Sequence, residues 1–210
     1  MRQEEPLVEP ILLGTANPGK ARELERLLGA AGIAVERLPT TTAREPVDEP
    51  NDSPAENARA KAVVYARRVG RWVLADDTAL EVDALFGGPG VHTARFAGPG
   101  ADAAANRRKL LEQLAGVPLQ RRGARFVCYL ALSDPRGELR AESAGQCRGR
   151  ILPAERGAGG FGYDALFELV EYHRTLAELG ETAKCRLSHR GRAVERMLPV
   201  LRALRDGSES

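Results

Sequence analysis

Several features that would assign this chain to a membrane, a secreted scaffold or a nucleic-acid surface are missing. No apolar run approaches the ~20 residues that a spanning helix needs. Cysteine occurs only at Cys128, Cys147 and Cys185. That odd, widely spaced set has no metal-ligand spacing and suits three reduced, mostly buried thiols. Charge of one sign is also lacking: 31 basic residues stand against 29 acidic ones, for a formal charge of +2. Such a balance excludes a non-specific nucleic-acid binder, although it leaves room for a local basic pocket. The first residues carry Glu4 and Glu5 rather than a basic and then apolar leader, so a cytoplasmic location is expected. Histidine is scarce too, and His92 and His173 read as loop or surface residues rather than ligands.

What is present reads as a globular chain. Hydrophobic residues make up 43% and charged residues 29% of 210, enough for a real core and for one domain over 1–210. Residues 1–9 and 206–210 read as tails. A short apolar run, Ile11 to Leu13, meets Gly14-Thr15-Ala16-Asn17-Pro18-Gly19-Lys20, and a helical pattern follows with Leu24, Leu27 and Leu28 on one face. Strand, tight polar loop and helix is a geometry that presents N–H groups and a positive helix end to an anion. The loop nearly fits the P-loop pattern, but Ala21 replaces the Mg²⁺-binding hydroxyl and Pro18 removes an N–H donor. Two readings stay open at this point: a phosphate loop whose donors are the side chains of Thr15, Asn17 and Lys20, or an ordinary turn with a solvated Lys.

Further along, Ala34 to Leu38 suggests a second strand, and Pro39 to Asp52 an acidic loop. Ser53-Pro54-Ala55-Glu56 is a helix start with Ser53 as cap, and that helix should run to about Val69 and carry Lys61. A compact strand, Arg71 to Ala75, is expected to end in Asp76-Asp77, with Thr78 and a second short strand from Leu80 to Val82 after it. Gly87 to Gly90 needs unusual backbone angles. Asp102 should cap a helix to Leu114. Arg125 to Ser133 and Leu139 to Cys147 read as a hairpin about Asp134-Pro135-Arg136-Gly137. A glycine-rich run, 157–162, leads to a strand near Leu166 to Val170. The last helix, from about Arg192, buries Val194, Met197, Leu198, Leu201 and Leu204, and Pro199 should kink or split it. The class is mixed α/β.

Three constellations carry possible chemistry. Asp76 and Asp77, placed at a strand end, are positioned to hold Mg²⁺ with one or two carboxylates and phosphate oxygens, and Glu49 is a third candidate. The alternative is a strand end that simply emerges into solvent. Gly159-Gly160-Phe161-Gly162-Tyr163-Asp164 would let backbone approach a planar ligand, or would merely carry core aromatics. Ser188-His189-Arg190, with Lys184 and Arg186 upstream, is a donor cluster suited to carbonyl or phosphate oxygens, or a solvated basic loop.

Together these stretches resemble the inosine triphosphate pyrophosphatase family, also called the XTP/dITP diphosphatases. The family's Thr/Ser-x-Asn-x-x-Lys is matched by Thr15, Asn17 and Lys20. Its Glu-Asn-Ala-x-x-Lys-Ala is matched by Glu56-Asn57-Ala58 through Lys61-Ala62, with Glu49 as the preceding acid. Ala75-Asp76-Asp77-Thr78-Ala79-Leu80 stands for Ala-Asp-Asp-Ser-Gly-Leu, and 89–95 for Pro-Gly-Val-x-Ser-Ala-Arg. Gly-Phe-Gly-Tyr-Asp appears in full at 160–164 and Ser-His-Arg-Gly at 188–191. The resemblance implies an elongated α/β sheet flanked by helices, two lobes around a cleft, and a homodimer. It also implies Mg²⁺-dependent cleavage of ITP, dITP and XTP to monophosphate and pyrophosphate. Asp77 would bind metal with Glu49 and activate water, with Asp76 in support. The loop Thr15, Ala16, Asn17, Pro18, Gly19 and Lys20, with Lys61 and Thr78, would hold the triphosphate. Phe161, Gly162, Tyr163 and Asp164 would frame the base, and Lys184, Ser188, His189 and Arg190 would donate to it. The competing readings are a P-loop NTPase or kinase and a nucleotide-binding module without turnover.

Overall fold

The computed structural model describes residues 9–43, 45, 47 and 53–207. β1 (Ile11–Leu13) leads into α1 (Pro18–Ala30), β2 (Val35–Arg37) and a short α2 (Thr40–Ala43). α3 (Pro54–Val69) precedes β3 (Val73–Val82), and the two-residue β4 (Pro89–Gly90) folds back on it. After α4 (Ala103–Gln113) come the long strands β5 (Gly123–Ser133) and β6 (Leu139–Ile151). β7 (Phe167–Leu169), β8 (Arg174–Thr175), α5 (Glu181–Leu187) and α6 (His189–Arg205) complete the chain. Among the described residues the strands make one eight-stranded sheet in the order β2-β1-β3-β5-β6-β7-β8, with β4 paired to β3. β1 is parallel to β2 and β3, whereas β6/β7 and β7/β8 are antiparallel. The mixed α/β class read from the alternation of apolar patterns is therefore the class observed.

Local chemistry sets the element ends. Ser53 Oγ accepts from the Glu56 N–H at 3.4 Å, Pro54 opens α3, and Gly70 closes it in the left-handed region. Asp102 caps α4 through the Ala105 N–H at 2.7 Å. Expectations are corrected at two places. α6 begins at His189 rather than near Arg192, and it passes Pro199 without a break. Its inward face, Ala193, Val194, Met197, Leu201 and Leu204, is buried in one core cluster, and that packing outweighs the missing N–H. Leu198 is only partly buried.

The second correction concerns the acid pair. β3 does not stop at Ala75; it runs ten residues through Asp76 and Asp77. The two expected short strands are one, because β5 continues alongside it and β4 pairs with its far end.

The chain forms two compact units. The first comprises residues up to Asp77, Cys128–Gly145 and the segment from Arg190. Its sheet is covered on both faces, which explains the unbroken apolar run of β1. Ile11, Leu13 and Leu74 pack with Leu24 and Leu28 of α1 and with α6, whereas Leu12 and Val73 pack with Tyr65 and Ala66 of α3. The second unit, Thr78–Val127 and Gln146–His189, has its own core of Leu80, Val82, Leu110, Leu114, Phe126, Ile151, Tyr163 and Phe167. Among the described residues no helix is long and apolar enough to cross a membrane.

Candidate active site

The loop between β1 and α1 lies directly on β3. The Gly14 N–H donates to Leu74 O at 2.8 Å, and a Cβ on Gly14 would stand 2.9 Å from both Ala75 Cβ and Val73 Cγ1. Only glycine allows that approach. Asn17 then caps α1: its Oδ1 accepts from the Gly19 and Lys20 N–H groups at 2.9 and 3.2 Å. The Asn17 N–H itself donates to Thr15 Oγ1 at 3.2 Å. With Pro18 lacking a donor, the first-turn N–H groups of Asn17, Gly19 and Lys20 are consumed inside the loop. A backbone phosphate cradle of the P-loop kind is thus not what this loop offers. Its remaining equipment for an anion is side-chain: Lys20, with Thr15 and Asn17.

The strand's two-residue period sorts the acids. Asp76 shares a face with Leu74, toward α1 and α6. Asp77 shares the opposite face with Val73 and Ala75, toward α3. The contacts follow. Asp76, fully buried, meets Lys20 Nζ at 3.2 Å and Arg190 Nη2 at 3.2 Å. Asp77 meets Lys61 Nζ at 2.8 Å and Asn57 Nδ2 at 3.5 Å. β1 ends at Leu13, opposite Leu74, and β4 pairs with β3 only at Leu80 and Glu81, so Asp76 and Asp77 lie between these two pairings. Lys20 lies 4.0 Å from Asp77 as well as 3.2 Å from Asp76. Arg190 reaches on to Glu23 of α1. Lys20, Lys61 and Arg190 thus balance Glu23, Asp76 and Asp77. Burial alone would raise the Asp76 pKa, but the charges of Lys20, Arg190 and Lys61 hold it well below the usual carboxylate range.

In the second unit, the glycine-rich turn is organised by Asp164. Its Oδ2 accepts from the Phe161 N–H at 2.9 Å and from Lys184 Nζ at 2.7 Å. The Lys184 ammonium stands 5.3 Å from the centre of the Phe161 ring. Gly160 adopts φ +73°, and a Cβ there would meet Asp164 Oδ2 at 2.2 Å. Phe161, Gly162 and Lys184 are partly exposed.

Other expected residues fall elsewhere. Tyr163, read as framing a base, is 4% exposed in the second unit's core and donates its hydroxyl to Thr93 O at 2.9 Å. Burial pushes its phenol pKa up. Ser188 is buried where α5 ends, and His189 and Arg190 open α6, so this stretch is a helix junction rather than a solvated loop. His189 stacks on Phe126, with centroids 4.7 Å apart and planes 15° from parallel. Arg190, expected beside Lys184 and His189, is 1% exposed and has its guanidinium on Asp76 and Glu23. For His189 and Arg190 the reason is the phase of α6, and for Tyr163 the turn that leads into β7. Thr78 follows the acids on β3, partly exposed, whereas Ala16 and Pro18 are exposed and Gly19 is buried. Glu49 lies outside the described residues.

Sequence reasoning missed Glu23 and Asn57 as members of the cluster. Helical spacing is the signal that would have found both: Glu23 is three residues after Lys20, and Asn57 four before Lys61.

The donor set fits a divalent cation that a ligand completes. Mg²⁺ commonly takes one or two carboxylates and fills its other positions with water and phosphate oxygens, and Asp77 carries the less buried of the two carboxylates at 8% exposure. Among the described residues no group of three or more His, Cys, Asp or Glu forms a metal-binding cluster.

An ammonium set against paired carboxylates beside a capped strand–loop–helix defines the class: an α/β protein equipped for a phosphorylated ligand and its counter-cation. Within that class the chain belongs to the Ham1 family, whose sequence profile matches residues 11–200. It is 46% identical over 201 residues to the dITP/XTP pyrophosphatase of Rhodopirellula baltica, covering 95% of this chain and 97% of that protein. The dITP/XTP pyrophosphatase of Desulforamulus reducens is 44% identical, with 92% and 96% covered. A HAM1 protein from Coxiella burnetii superposes with a TM-score of 0.79 at 34% identity, over 92% of this chain and 98% of that one. The nucleoside-triphosphatase / dITP/XTP pyrophosphatase from Mycobacterium abscessus does so with a TM-score of 0.70 at 41% identity, over 92% and 100%. The resemblance read from motifs is borne out.

Proposed function

We propose that this chain hydrolyses non-canonical purine nucleoside triphosphates (ITP, dITP and XTP) to the monophosphate and pyrophosphate, clearing them from the nucleotide pool. The observation that carries the proposal is the convergence of Lys20 and Lys61 on Asp76 and Asp77. Cations alone would suffice to bind a polyphosphate. Carboxylates repel one unless a metal intervenes, so their presence argues for turnover. The names of the relatives support the same substrate class.

In this reading Lys20, Lys61, Thr15 and Asn17 take the triphosphate. Asp77 activates water for attack at the α-phosphorus, and the bond to the β-phosphate oxygen breaks as pyrophosphate leaves. Asp76 holds Lys20 in place and is itself held by Arg190. Mg²⁺, held by Asp77 with Glu49, would supply charge neutralisation and polarise the phosphates when bound. Phe161 offers a face for stacking, and Lys184 a donor to the 6-oxo group of hypoxanthine or xanthine. Adenine presents an amino donor there, facing the Lys184 ammonium instead of accepting from it, and such a lost hydrogen bond is worth roughly 1–3 kcal/mol. Tyr163 and His189 support that wall from the core. The free state of all three cysteines supports a reducing, cytoplasmic location. The family resemblance supports a homodimer, which light scattering would read.

The test is to incubate the protein with Mg²⁺ and ITP and identify the product. Pyrophosphate is expected; orthophosphate, or no product, overturns the proposal. Asp77→Asn should abolish turnover while the far-ultraviolet circular dichroism stays that of the parent. Near-normal turnover would remove Asp77 from the mechanism.

A further inference from the structure

Three cations and three carboxylates share the first unit's cluster: Lys20, Lys61 and Arg190 with Glu23, Asp76 and Asp77. Among the described residues these formal charges balance before any metal or nucleotide arrives. Arg190 is locked, since it is 1% exposed and spans Asp76 and Glu23 from the first turn of α6. The two lysines differ from it. Their side chains retain 15% and 12% exposure, and each ends a flexible four-carbon stem. Lys61 Nζ lies 2.8 Å from Asp77 Oδ1, and Lys20 Nζ lies 4.0 Å from the same oxygen. One carboxylate oxygen therefore faces two ammonium groups.

A divalent cation bound to that oxygen would stand within a few ångströms of both ammoniums, where like charges repel strongly at the dielectric of a part-buried site. Metal and lysine thus compete for the same place. A polyphosphate changes the balance, because it gives the ammoniums a second set of anionic oxygens to move to.

We propose that Lys61, with Lys20, is a placeholder for the divalent cation: it occupies Asp77 until a polyphosphate draws it away, so that metal and nucleotide bind interdependently. The proposal rests on the pyrophosphatase reading above for the identity of the nucleotide, but the competition itself concerns only residues of this chain and a bare metal ion. It gives Lys61 two successive duties, first neutralising a carboxylate and then gripping a phosphate. It also makes the metal–nucleotide complex, rather than a metal-loaded protein, the species that fills the site. By linkage, whatever factor the nucleotide adds to metal affinity the metal adds to nucleotide affinity.

The experiment titrates Mn²⁺ alone, without nucleotide, into the full chain and counts free Mn²⁺ by electron paramagnetic resonance. Lys61→Gln should bind Mn²⁺ about tenfold more tightly than the parent, the factor expected for removing one part-buried ion-pair partner. Lys61→Arg, which keeps the cation, should stay near the parent value. Lys109→Gln, which removes a lysine of the second unit, should change nothing. Lys20→Met supplies the same test independently should Lys61→Gln fail to fold, and it should also tighten Mn²⁺. Equal or weaker Mn²⁺ binding in the folded Lys61→Gln or Lys20→Met protein overturns the proposal. Tightening with no pyrophosphate released from ITP would overturn the functional reading and leave the competition standing. Pyrophosphate release without tightening would do the reverse.

Discussion

Asp76 and Asp77 are neighbours in the chain and opposites in environment. One residue of β3 separates a carboxylate that is wholly inside, between Lys20 and Arg190, from one that meets Lys61 and Asn57 on the other face of the sheet. Arg190 stabilises the inner member by supplying a cation that Glu23 also uses. Its removal would leave the buried Asp76 with Lys20 alone of its two close cations and take the guanidinium from the part-buried Glu23, and breaking a buried pair typically costs about 3–5 kcal/mol. Arg190→Ala should therefore lower the unfolding free energy in urea by roughly 3 kcal/mol or more. Arg190→Lys should restore part of it, since a point charge replaces the forked guanidinium. A loss under ~1 kcal/mol would show that Arg190 does not neutralise Asp76 in solution.

At the scale of elements, the site exists because β1 is short. Three residues bring the chain to Leu13; there the loop turns off, and β3 continues through Asp76 and Asp77 before β4 pairs with it at Leu80. Gly14 makes the departure possible by lying against Val73 and Ala75. Gly14→Ala would press a methyl group into Ala75 Cβ and Val73 Cγ1 and push the loop off β3. Overpacking of this kind costs about 1–3 kcal/mol. Activity should fall further than stability, because Lys20 moves with the loop. A variant with parental melting temperature and kcat/KM would show that the close approach is not needed. The sequence made this element readable up to a point. The apolar run, the loop and the helix were plain from pattern and turn chemistry, as were the caps at Ser53 and Asp102. The run from Val73 to Val82 was not, because two acids in its middle look like an end when their partners, Lys20, Lys61 and Arg190, are distant in the chain. The same holds for Arg190. Beside Ser188 and His189 it reads as a basic loop, and only the start of α6 shows that its guanidinium turns inward.

Over the whole molecule, stability should depend on pH through carboxylates that folding makes more acidic. Asp134 at the β5–β6 turn illustrates the rule. Burial would raise its pKa, but the Glu138 and Arg136 N–H groups and the Arg140 guanidinium, 2.6 Å away, lower it overall. Asp76 is lowered as well. A carboxylate whose folded pKa lies below its unfolded value binds fewer protons when folded, so its contribution is complete above the unfolded value, about 4, and is lost as pH falls through the folded one. Thermal stability should accordingly hold from neutral pH down to about 5 and decline below about 4. Asp134→Asn should melt lower than the parent at pH 7, with the difference shrinking as the pH drops. A constant difference across that range would mean that the Asp134 charge plays no part.

The sequence by itself determined the α/β class, the capped helices and the family, and it offered the candidate residues, because these depend on short-range pattern, turn chemistry and motif spacing. Tertiary structure alone decided which of those residues meet. Asp76 and Asp77 part to opposite faces, Arg190 joins Asp76 and Glu23, and Tyr163 and His189 turn into the core. Those outcomes depend on the phase of each strand, helix or turn at the point of contact, and on which distant element covers it. No local stretch of sequence carries that information.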